Sequence, residues 1–359
     1  MKKYLFMATL AVAAFGFTSC DDDDSKPALQ EAEISNGVVV INSGNKGSGI
    51  NGSITYLNYE SGSVFQGVYE EANGESLGGT VNDGVISGSK AYILGSDEKV
   101  VFVADRNTMK AVTKISFSET PRHIIADGGY VYVSTFDGKA YAIDTLSYTK
   151  KAYSCGTYSE GMAVCDGYLY VADSDYGRGN ASISKIDLAK GTTETIKDAN
   201  IRNCVDVFCY NNTLYFLDSG EYEAGTWKQI KNGVYKLNAD NTTEKVADAT
   251  FAALTADGVF YLINAPYAGD GVTYTTYDLK SGKSAQFIDG TDIASPAGIG
   301  VDPEHGYVVI TSYNLVGGYA SYSTNGYAVQ YSSKGEKMRK FETGVGPVTV
   351  RFDIAKVMK

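Results

Sequence analysis

Few side chains in this sequence could perform catalysis. Histidine occurs twice, as His123 and His305, and no Ser-His-Asp arrangement, metal-spaced histidine cluster or phosphate-binding glycine loop surrounds either one. The chemistry that remains is that of a divalent ion held by oxygen atoms, which suit a hard cation. The residues that would hold it are Asn82, Glu160, Asn203 and Asp206. The sequence therefore predicts a protein that is not an enzyme and needs no cofactor or metal, with a metal-dependent lactonase or lyase as an alternative.

More of the residues are suited to binding a ligand. Several tyrosines and the single tryptophan lie in polar, glycine-containing segments between apolar runs. Such rings offer rigid apolar area with a polar tip, which suits capture of a large, flat, amphipathic ligand. They suit sugar rings equally, so a carbohydrate-binding protein is a second alternative. The candidate ligand-binding residues are Asn42, Asn45, Arg122, Glu160, Tyr176, Arg178, Arg202, Tyr222, Trp227, Tyr267, Tyr313 and Tyr319.

A seven-residue sequence motif, called the phrase below, recurs along the chain and indicates the strands that position these residues. Successive copies start 39 to 51 residues apart, close to the period of propeller blades, which is roughly 40 to 50 residues. Most copies are followed by a Gly- or Asn-containing turn and a β-rich run of alternating character. The seven copies span residues 81–87, 121–127, 160–166, 204–210, 251–257, 296–302 and 347–353.

The two ends of this repeat complete each other. Residues 38–41 read as the second strand of a unit that lacks a first strand, and the copy at 347–353 has no strands after it. Pairing the two closes a ring and removes exposed sheet edges. The prediction for residues 37–359 is an all-β, seven-bladed β-propeller with four antiparallel strands per blade, closed by pairing of the C-terminal strand with the N-terminal blade.

Loop lengths in this propeller predict the binding face. Connections between second and third strands are long and aromatic, which is typical of a binding face. The turns between first and second strands are minimal, so the opposite face is expected to be bare. His305 falls in one of these short turns, whereas His123 is expected near the central channel.

Four cysteines follow residue 20, namely Cys155, Cys165, Cys204 and Cys209. Their spacings match no zinc pattern, and the chain is not rich in cysteine. Buried free thiols are therefore expected, although pairing of Cys155 with Cys204 stays open.

The N-terminus has the features of an export signal. Lys2 and Lys3 precede a 14-residue apolar run at residues 4–17, shorter than the roughly 20 residues that a membrane span needs. We expect a lipoprotein signal peptide at 1–19 and an acidic, flexible tether at 20–36 that begins with a lipidated Cys20. The junction resembles a bacterial lipobox, with Phe17 where Leu is usual.

The acidic run at residues 21–24 resembles the signal that exports lipoproteins to the outer face of the outer membrane in one group of Gram-negative bacteria. It implies a lipid-anchored protein facing the cell exterior, and an ordinary solvated tether is the alternative. The net charge of −11 and the lack of a later basic block argue against nucleic acid as a partner.

The opening of the predicted propeller is similar to that of surface lipoproteins with YncE-like seven-bladed propellers. The similarity lies in residues 39–45 followed by residues 52–56, with Ser43 where Glu is usual and Leu57 where a second Tyr is usual. Characterised members of this group capture vitamin B12 and other corrinoids and pass them to a TonB-dependent transporter. The resemblance thus implies a corrinoid ligand, an outer-membrane transporter as partner, and attachment to the membrane by the lipid anchor alone.

Overall fold

The computed structural model describes residues 31–358. These residues form seven four-stranded antiparallel sheets in a ring, together with two short hairpins. The predicted seven-bladed β-propeller is therefore confirmed. None of the helices in this part of the chain is long and apolar enough to cross a membrane. The expected signal peptide, Cys20 and residues 21–30 of the tether lie outside the described residues.

Strands are numbered along the chain, and each blade is described from its inner strand outward. The closing blade comprises β32 (Pro347–Met358), β1 (Glu31–Asn42), β2 (Ser53–Asn58) and β3 (Val64–Phe65). Blade 1 comprises β4 (Val81–Ser87), β5 (Lys90–Gly95), β6 (Val100–Asp105) and β7 (Ala111–Ser116). Blade 2 comprises β8 (Pro121–Asp127), β9 (Tyr130–Thr135), β10 (Lys139–Asp144) and β11 (Lys150–Ser154). Blade 3 comprises β12 (Ser159–Cys165), β13 (Tyr168–Asp173), β14 (Ser182–Asp187) and β15 (Thr193–Ile196).

The other three blades follow the same plan. Blade 4 comprises β16 (Cys204–Tyr210), β17 (Thr213–Asp218), β20 (Gly233–Leu237) and β21 (Thr243–Ala247). Blade 5 comprises β22 (Phe251–Leu254), β23 (Val259–Asn264), β24 (Thr273–Asp278) and β25 (Lys283–Gln286). Blade 6 comprises β26 (Pro296–Val301), β27 (Val308–Ser312), β30 (Asn325–Tyr331) and β31 (Lys337–Val345).

Short elements occupy some of the connections. Two hairpins, β18 (Glu221–Tyr222) with β19 (Gln229–Ile230) and β28 (Leu315–Val316) with β29 (Tyr319–Ala320), lie between second and third strands. The helix α1 spans Val68–Asn73, and 3-10 turns span Lys46–Ser48 and Asp175–Gly177. We call the face with the second-to-third connections the upper face, and the face with the first-to-second turns the lower face.

Blades pack on one another through apolar side chains that alternate along their strands. Within blade 4, Phe216 is fully buried and stacks on Tyr235 of the neighbouring strand, with ring centroids 5.3 Å apart. Phe260 of blade 5 is also fully buried and meets Phe208 of blade 4 edge to face at 5.3 Å. Offset and edge-to-face aromatic pairs are the favoured geometries and strengthen such contacts between sheets.

The closing blade joins the two ends of the described chain. β1 pairs with β32 from Glu31 opposite Met358 to Asn42 opposite Pro347, with bulges along the way. β1 thus begins at Glu31, inside the range assigned to the tether, because residues 354–358 provide a pairing partner for it. Both strands extend past the other blades on the lower face.

One disulfide bond corrects the expectation of free thiols. Cys165 near the lower end of β12 is bonded to Cys209 near the lower end of β16. Their Cα atoms are 5.6 Å apart because they occupy matching places on neighbouring inner strands, within the range that a disulfide requires. Cys155 and Cys204, whose pairing was left open, are both free thiols.

Candidate functional site

A cavity of about 840 Å³ occupies the centre of the ring. Its charged lining residues lie on blades 1 to 4 and the closing blade, whereas blades 5 and 6 contribute apolar side chains, glycines and one threonine. Its size is within the range of small-molecule sites, roughly 300 to 1,000 Å³. The cavity therefore presents a charged wall opposite an apolar wall. The charged lining residues are Asp83, Arg122, His123, Glu160, Asp206 and Arg351.

Five of these side chains form a continuous chain of ion pairs across three blades and the closing strand. Arg351 donates through Nη2 to both carboxylate oxygens of Asp83, at 2.8 and 2.9 Å. His123 lies between the acids, with Nδ1 3.3 Å from Asp83 Oδ2 and Nε2 3.5 Å from Glu160 Oε2. Arg122 Nε donates to Glu160 Oε2 at 2.7 Å. Each carboxylate is thus held between two cationic groups.

These contacts shift the pKa values of the chain. Burial opposes the charge on His123, but hydrogen bonds and charge attraction from Asp83 and Glu160 outweigh it and raise the pKa to about 9. Burial works against ionisation of Asp83 and Glu160 as well, yet the neighbouring cations hold both pKa values below the usual range. At neutral pH, His123 is therefore a cation between two carboxylates.

Asp206 differs from the other two acids because it has no ion-pair partner among residues 31–358. Its Oδ1 accepts the backbone N–H of Val207 at 2.9 Å, and burial raises its pKa to about 6. Gly161 on the neighbouring inner strand makes room for it, since a Cβ there would lie 2.0 Å from Asp206 Oδ1. Asp206 is thus a carboxylate of raised pKa on the cavity wall.

A β-bulge near the start of the inner strands explains the placement of these residues. The register shifts by one residue after Val81, Pro121, Ser159 and Cys204. A bulge leaves an extra residue unpaired and redirects side chains, so two successive positions, such as Arg122 with His123, line the cavity. The third copy of the phrase, predicted from Glu160, belongs to a strand that starts at Ser159.

Two predicted candidates, Tyr176 and Arg178, lie with two further rings in what we call the blade 3 cluster. Phe136, Tyr158 and Tyr176 have ring centroids 4.4 to 5.8 Å apart. Arg178 lies 5.0 Å from the Tyr158 ring and 5.6 Å from the Tyr176 ring. Arg122 lies 5.5 Å from the Phe136 ring and so connects this cluster to the charged wall.

Three more candidates, Tyr222, Trp227 and Tyr267, lie on the connections of blades 4 and 5. The rings of Tyr222 and Tyr267 are 6.3 Å apart, and Gln229 joins the two connections by exchanging hydrogen bonds with the Tyr267 backbone at 2.9 and 3.0 Å. Trp227 lies in the turn of the β18–β19 hairpin and is 68% exposed. Gln229 also lines the cavity, so these rings stand beside its upper rim.

The last aromatic candidates lie on the long connection of blade 6. Tyr313 meets Tyr322 edge to face at 4.8 Å, and Tyr319 in the β28–β29 hairpin is 80% exposed. Asn45 joins this connection to the closing blade by donating to the backbone carbonyl of Tyr322 at 2.8 Å. The six predicted rings therefore fall into three groups on the upper face.

The side chains of two further candidates, Asn42 and Arg202, form hydrogen bonds within the protein. Asn42 is fully buried and donates to Thr55 Oγ1 at 3.0 Å, so its side chain is removed from the surface. Arg202 Nη2 donates to Asn200 at 3.2 Å, and its backbone N–H donates to the buried Asp218. Neither contact faces the cavity.

Two residues of the enzymatic alternative have other side-chain partners. Asn82 Nδ2 donates to Ser96 at 2.7 Å, and Glu160 is paired with Arg122 and His123. Across residues 31–358, no three or more His, Cys, Asp or Glu side chains are grouped so that they could hold a metal ion.

Sequence reasoning missed Asp83, Arg351, Phe136 and Tyr158. A signal existed for the first two, because Asp83 follows Asn82 in the same phrase and Arg351 lies in the copy that closes the ring. Phe136 and Tyr158 lie outside the long connections and were passed over for that reason.

The lower face was expected to be bare, and a groove of about 510 Å³ corrects that expectation. It lies between the closing blade and blade 1, where β1 and β32 extend past the ring. Tyr56, Tyr59 and Phe65 line it beside an ion pair of Arg106 with Asp353. His305 is on this face as expected, stacked on Tyr307 with ring centroids 5.0 Å apart.

Comparisons with known proteins identify a family and a fold. A family model described as a domain of unknown function, DUF5074, matches residues 36–345. Kuenenia stuttgartiensis hydrazine synthase is 15% identical, with a TM-score of 0.57 over 78% of this chain and 95% of that chain. The dihydro-heme d1 dehydrogenase NirN in complex with DHE is 11% identical, with a TM-score of 0.53 over 89% of this chain and 75% of that chain. At these identities the likeness shows the fold alone. No curated protein matches the sequence.

Proposed function

This chain belongs to the DUF5074 family, and we propose that it is a ligand-capturing surface lipoprotein. Its upper face binds a corrinoid, and the protein passes this ligand without turnover to a TonB-dependent transporter of the outer membrane. The ligand class and the transporter come from the resemblance of residues 39–45 and 52–56 to such lipoproteins.

The two-sided lining of the central cavity carries this proposal. Blades 5 and 6 supply an apolar surface, while Asp83, His123 and Glu160 supply a charged one. An amphipathic ligand matches such a cavity, because its apolar part leaves water against one wall while its amides or charges find partners on the other.

The three groups of rings at the upper face support the same conclusion. Trp227, Tyr267 and Tyr319 are each more than 60% exposed, so their faces are available to a ligand larger than the cavity. Aromatic anchors at the centre of an interface usually dominate its affinity.

The position of the chain start is consistent with surface capture. β1 begins at the lower face and ends at the upper face, since Asn42 leads into the second-to-third connection. Glu31, the first described residue, therefore lies at the lower face. A lipid anchor at Cys20 would leave the upper face free to meet ligand.

Calorimetry of the purified mature protein with cyanocobalamin and with cobinamide tests the proposal. We expect saturable binding of at least one compound. Trp227→Ala or Tyr313→Ala should weaken it by about 2 kcal/mol or more if the ring is a central anchor. Tyr130→Ala is the matched control, because Tyr130 is 42% exposed at the lower end of β9. A change at Tyr59, also on the lower face, should likewise have little effect.

Absence of heat and of retention for both compounds would exclude the corrinoid ligand. The exposed rings at the tips of the two hairpins favour a carbohydrate-binding lipoprotein as the second candidate, because Tyr and Trp faces stack on sugars. Saturable binding on a glycan array, lost in Trp227→Ala and kept in Tyr130→Ala, would support it. Metal-dependent turnover would instead indicate the lactonase or lyase.

A further inference from the structure

We propose that the blade 3 cluster and Arg122 form a subsite for an oxyanion, a phosphate or carboxylate group carried by the ligand. The subsite consists of the two guanidinium groups of Arg122 and Arg178 and the rings of Phe136, Tyr158 and Tyr176. This inference rests on the capture function proposed above and specifies one part of the ligand.

Both arginines have guanidinium N–H groups that are not used in the hydrogen bonds of the described residues. Arg122 uses Nε on Glu160, and its two Nη atoms have no hydrogen-bond partner among residues 31–358. Arg178 uses Nη1 on the hydroxyl of Tyr158 at 2.9 Å, and no carboxylate in the described part of the chain forms an ion pair with it. A guanidinium is a planar fork of donors that matches an oxyanion with two parallel hydrogen bonds.

Four other cations of the upper face each lie beside a carboxylate. In three of them a lysine Nζ lies close to a carboxylate oxygen. The pairs are Lys228 with Asp270 at 3.0 Å, Lys231 with Glu221 at 2.5 Å and Lys46 with Asp97 at 3.1 Å. Arg202 also approaches Glu221, at 3.7 Å. Unlike these four cations, Arg178 in the blade 3 cluster has no ion pair within the described residues and remains open to an incoming anion.

The rings hold the guanidinium groups in place before a ligand arrives. Each arginine lies within 5.6 Å of a ring centroid, where cation–π attraction limits its motion. Tyr158 and Tyr176 both have positive φ, 56° and 50°, a costly backbone region for bulky residues that persists where the surroundings enforce it. A preorganised site loses less entropy on binding.

The acids nearby form no direct ion pair with Arg178. Glu160 is already paired with two cations, Arg122 and the protonated His123. Asp175 is buried and accepts two hydrogen bonds from Asn180, at 3.0 and 3.1 Å. Arg178 thus adds a positive charge without a direct counterion, beside an exposed ring, Tyr176.

Titration of the mature protein with inorganic phosphate and with acetate, followed by NMR chemical shifts, tests the subsite. We expect saturable binding of at least one anion, and the tighter of the two identifies phosphate or carboxylate as the group recognised. Arg122→Gln and Arg178→Gln should each weaken binding about tenfold or more, since charge-assisted hydrogen bonds are lost. Arg178→Lys should keep part of the affinity, because it retains the charge without the fork.

Lys185→Gln is the matched control and should bind anions as the wild type does. Lys185 also lies over a tyrosine ring, 4.4 Å from that of Tyr168, but on the third strand of blade 3, away from the upper connections. Lack of saturable binding of both anions, or equal affinity in the wild type and both Gln variants, would overturn the subsite.

The corrinoid experiment separates this inference from the proposed function. Anion binding that depends on Arg122 and Arg178, without any corrinoid binding, would support the subsite and reject the corrinoid. Corrinoid binding with no arginine-dependent anion binding would support capture and overturn the subsite.

Discussion

His123 is the side chain on which the charged wall depends. It is the middle of a five-membered chain and faces a carboxylate on each side. A histidine whose pKa is raised on folding stabilises the folded state while it is protonated. The stabilisation is complete below its unfolded pKa, about 6.5, and is lost as the pH rises through about 9.

We therefore expect the free energy of unfolding to fall between pH 6.5 and pH 9 by on the order of 1 kcal/mol per pH unit. His123→Gln should remove most of this dependence, because Gln cannot bind the proton. Urea denaturation at several pH values measures the slope. Ile125→Val on the same strand is the control and should keep the wild-type slope. A variant with the wild-type slope would show that His123 is not the group responsible.

Only some residues of the charged wall could be predicted from the sequence. His123 was predicted near the channel, and Arg122 and Glu160 were among the candidate ligand-binding residues. Asp83 was missed because the bulge that redirects it toward the cavity leaves no mark in hydrophobic alternation, whereas Arg351 lies in regular pairing opposite Val39. Their distance in sequence also hides the ion pair they form.

Inner strands were the most predictable elements. The phrase coincides with β4, β8 and β16 from end to end, because alternating apolar residues and the turn that follows mark both limits. β12 differs by one residue, since Ser159 pairs with Asp173 ahead of the bulge. Local pattern therefore locates the strand, while the register of its first residues depends on the neighbouring strand.

The disulfide joins two of these elements, the inner strands of blades 3 and 4. Its cysteines are 44 residues apart, about one blade, which is the sequence signal for matching places on adjacent blades. We expect the double variant Cys165→Ala with Cys209→Ala to lose about 2–4 kcal/mol of unfolding free energy, because the cross-link restricts the unfolded chain. Urea denaturation measures the loss.

Cys155→Ala, which removes a free thiol from the connection between blades 2 and 3, is the control for that experiment. It should change stability by much less than the double variant. Alkylation of the unreduced, denatured protein followed by mass measurement should leave Cys165 and Cys209 unmodified. Labelling of either residue would contradict the cross-link.

At the scale of the whole molecule, the closing blade keeps the ring intact. Removal of residues 346–359 takes β32 away, and this leaves Val39, Val40 and Ile41 of β1 without their inner partners. An unpaired apolar strand invites association with other chains, so we expect aggregation or a large loss of stability, measured by light scattering and thermal melting.

A shorter truncation is the matched control. Residues 355–359 lie past the phrase, and those of them that the structure describes are paired in the sheet with residues 31–34 below the ring. Their removal should leave a soluble propeller with a smaller drop in melting temperature. If the longer truncation is also soluble and melts as the intact protein does, closure by β32 is not what holds the ring together.

The proposed anchor concerns the molecule in its cell. Cys20→Ala should release the protein from the membrane or stop its export, because no thiol remains for lipidation. Neutral residues at 21–24 should leave the protein anchored but facing the periplasm. Protease digestion of intact cells measures the surface accessibility of each variant. Unchanged accessibility in both variants would contradict the proposed anchor and its export signal.

The strand that closes the ring also brings a residue to the cavity, and this has a consequence for when binding becomes possible. Asp83 and Arg351 are 268 residues apart in the sequence, yet they are in direct contact. A ribosome must therefore pass residue 351 before the charged wall exists. A product that stops earlier lacks one of the two cationic partners of Asp83 and has an unfinished cavity. Competence to bind thus arises only after β32 has been made, so a copy that stops before it would not compete for ligand.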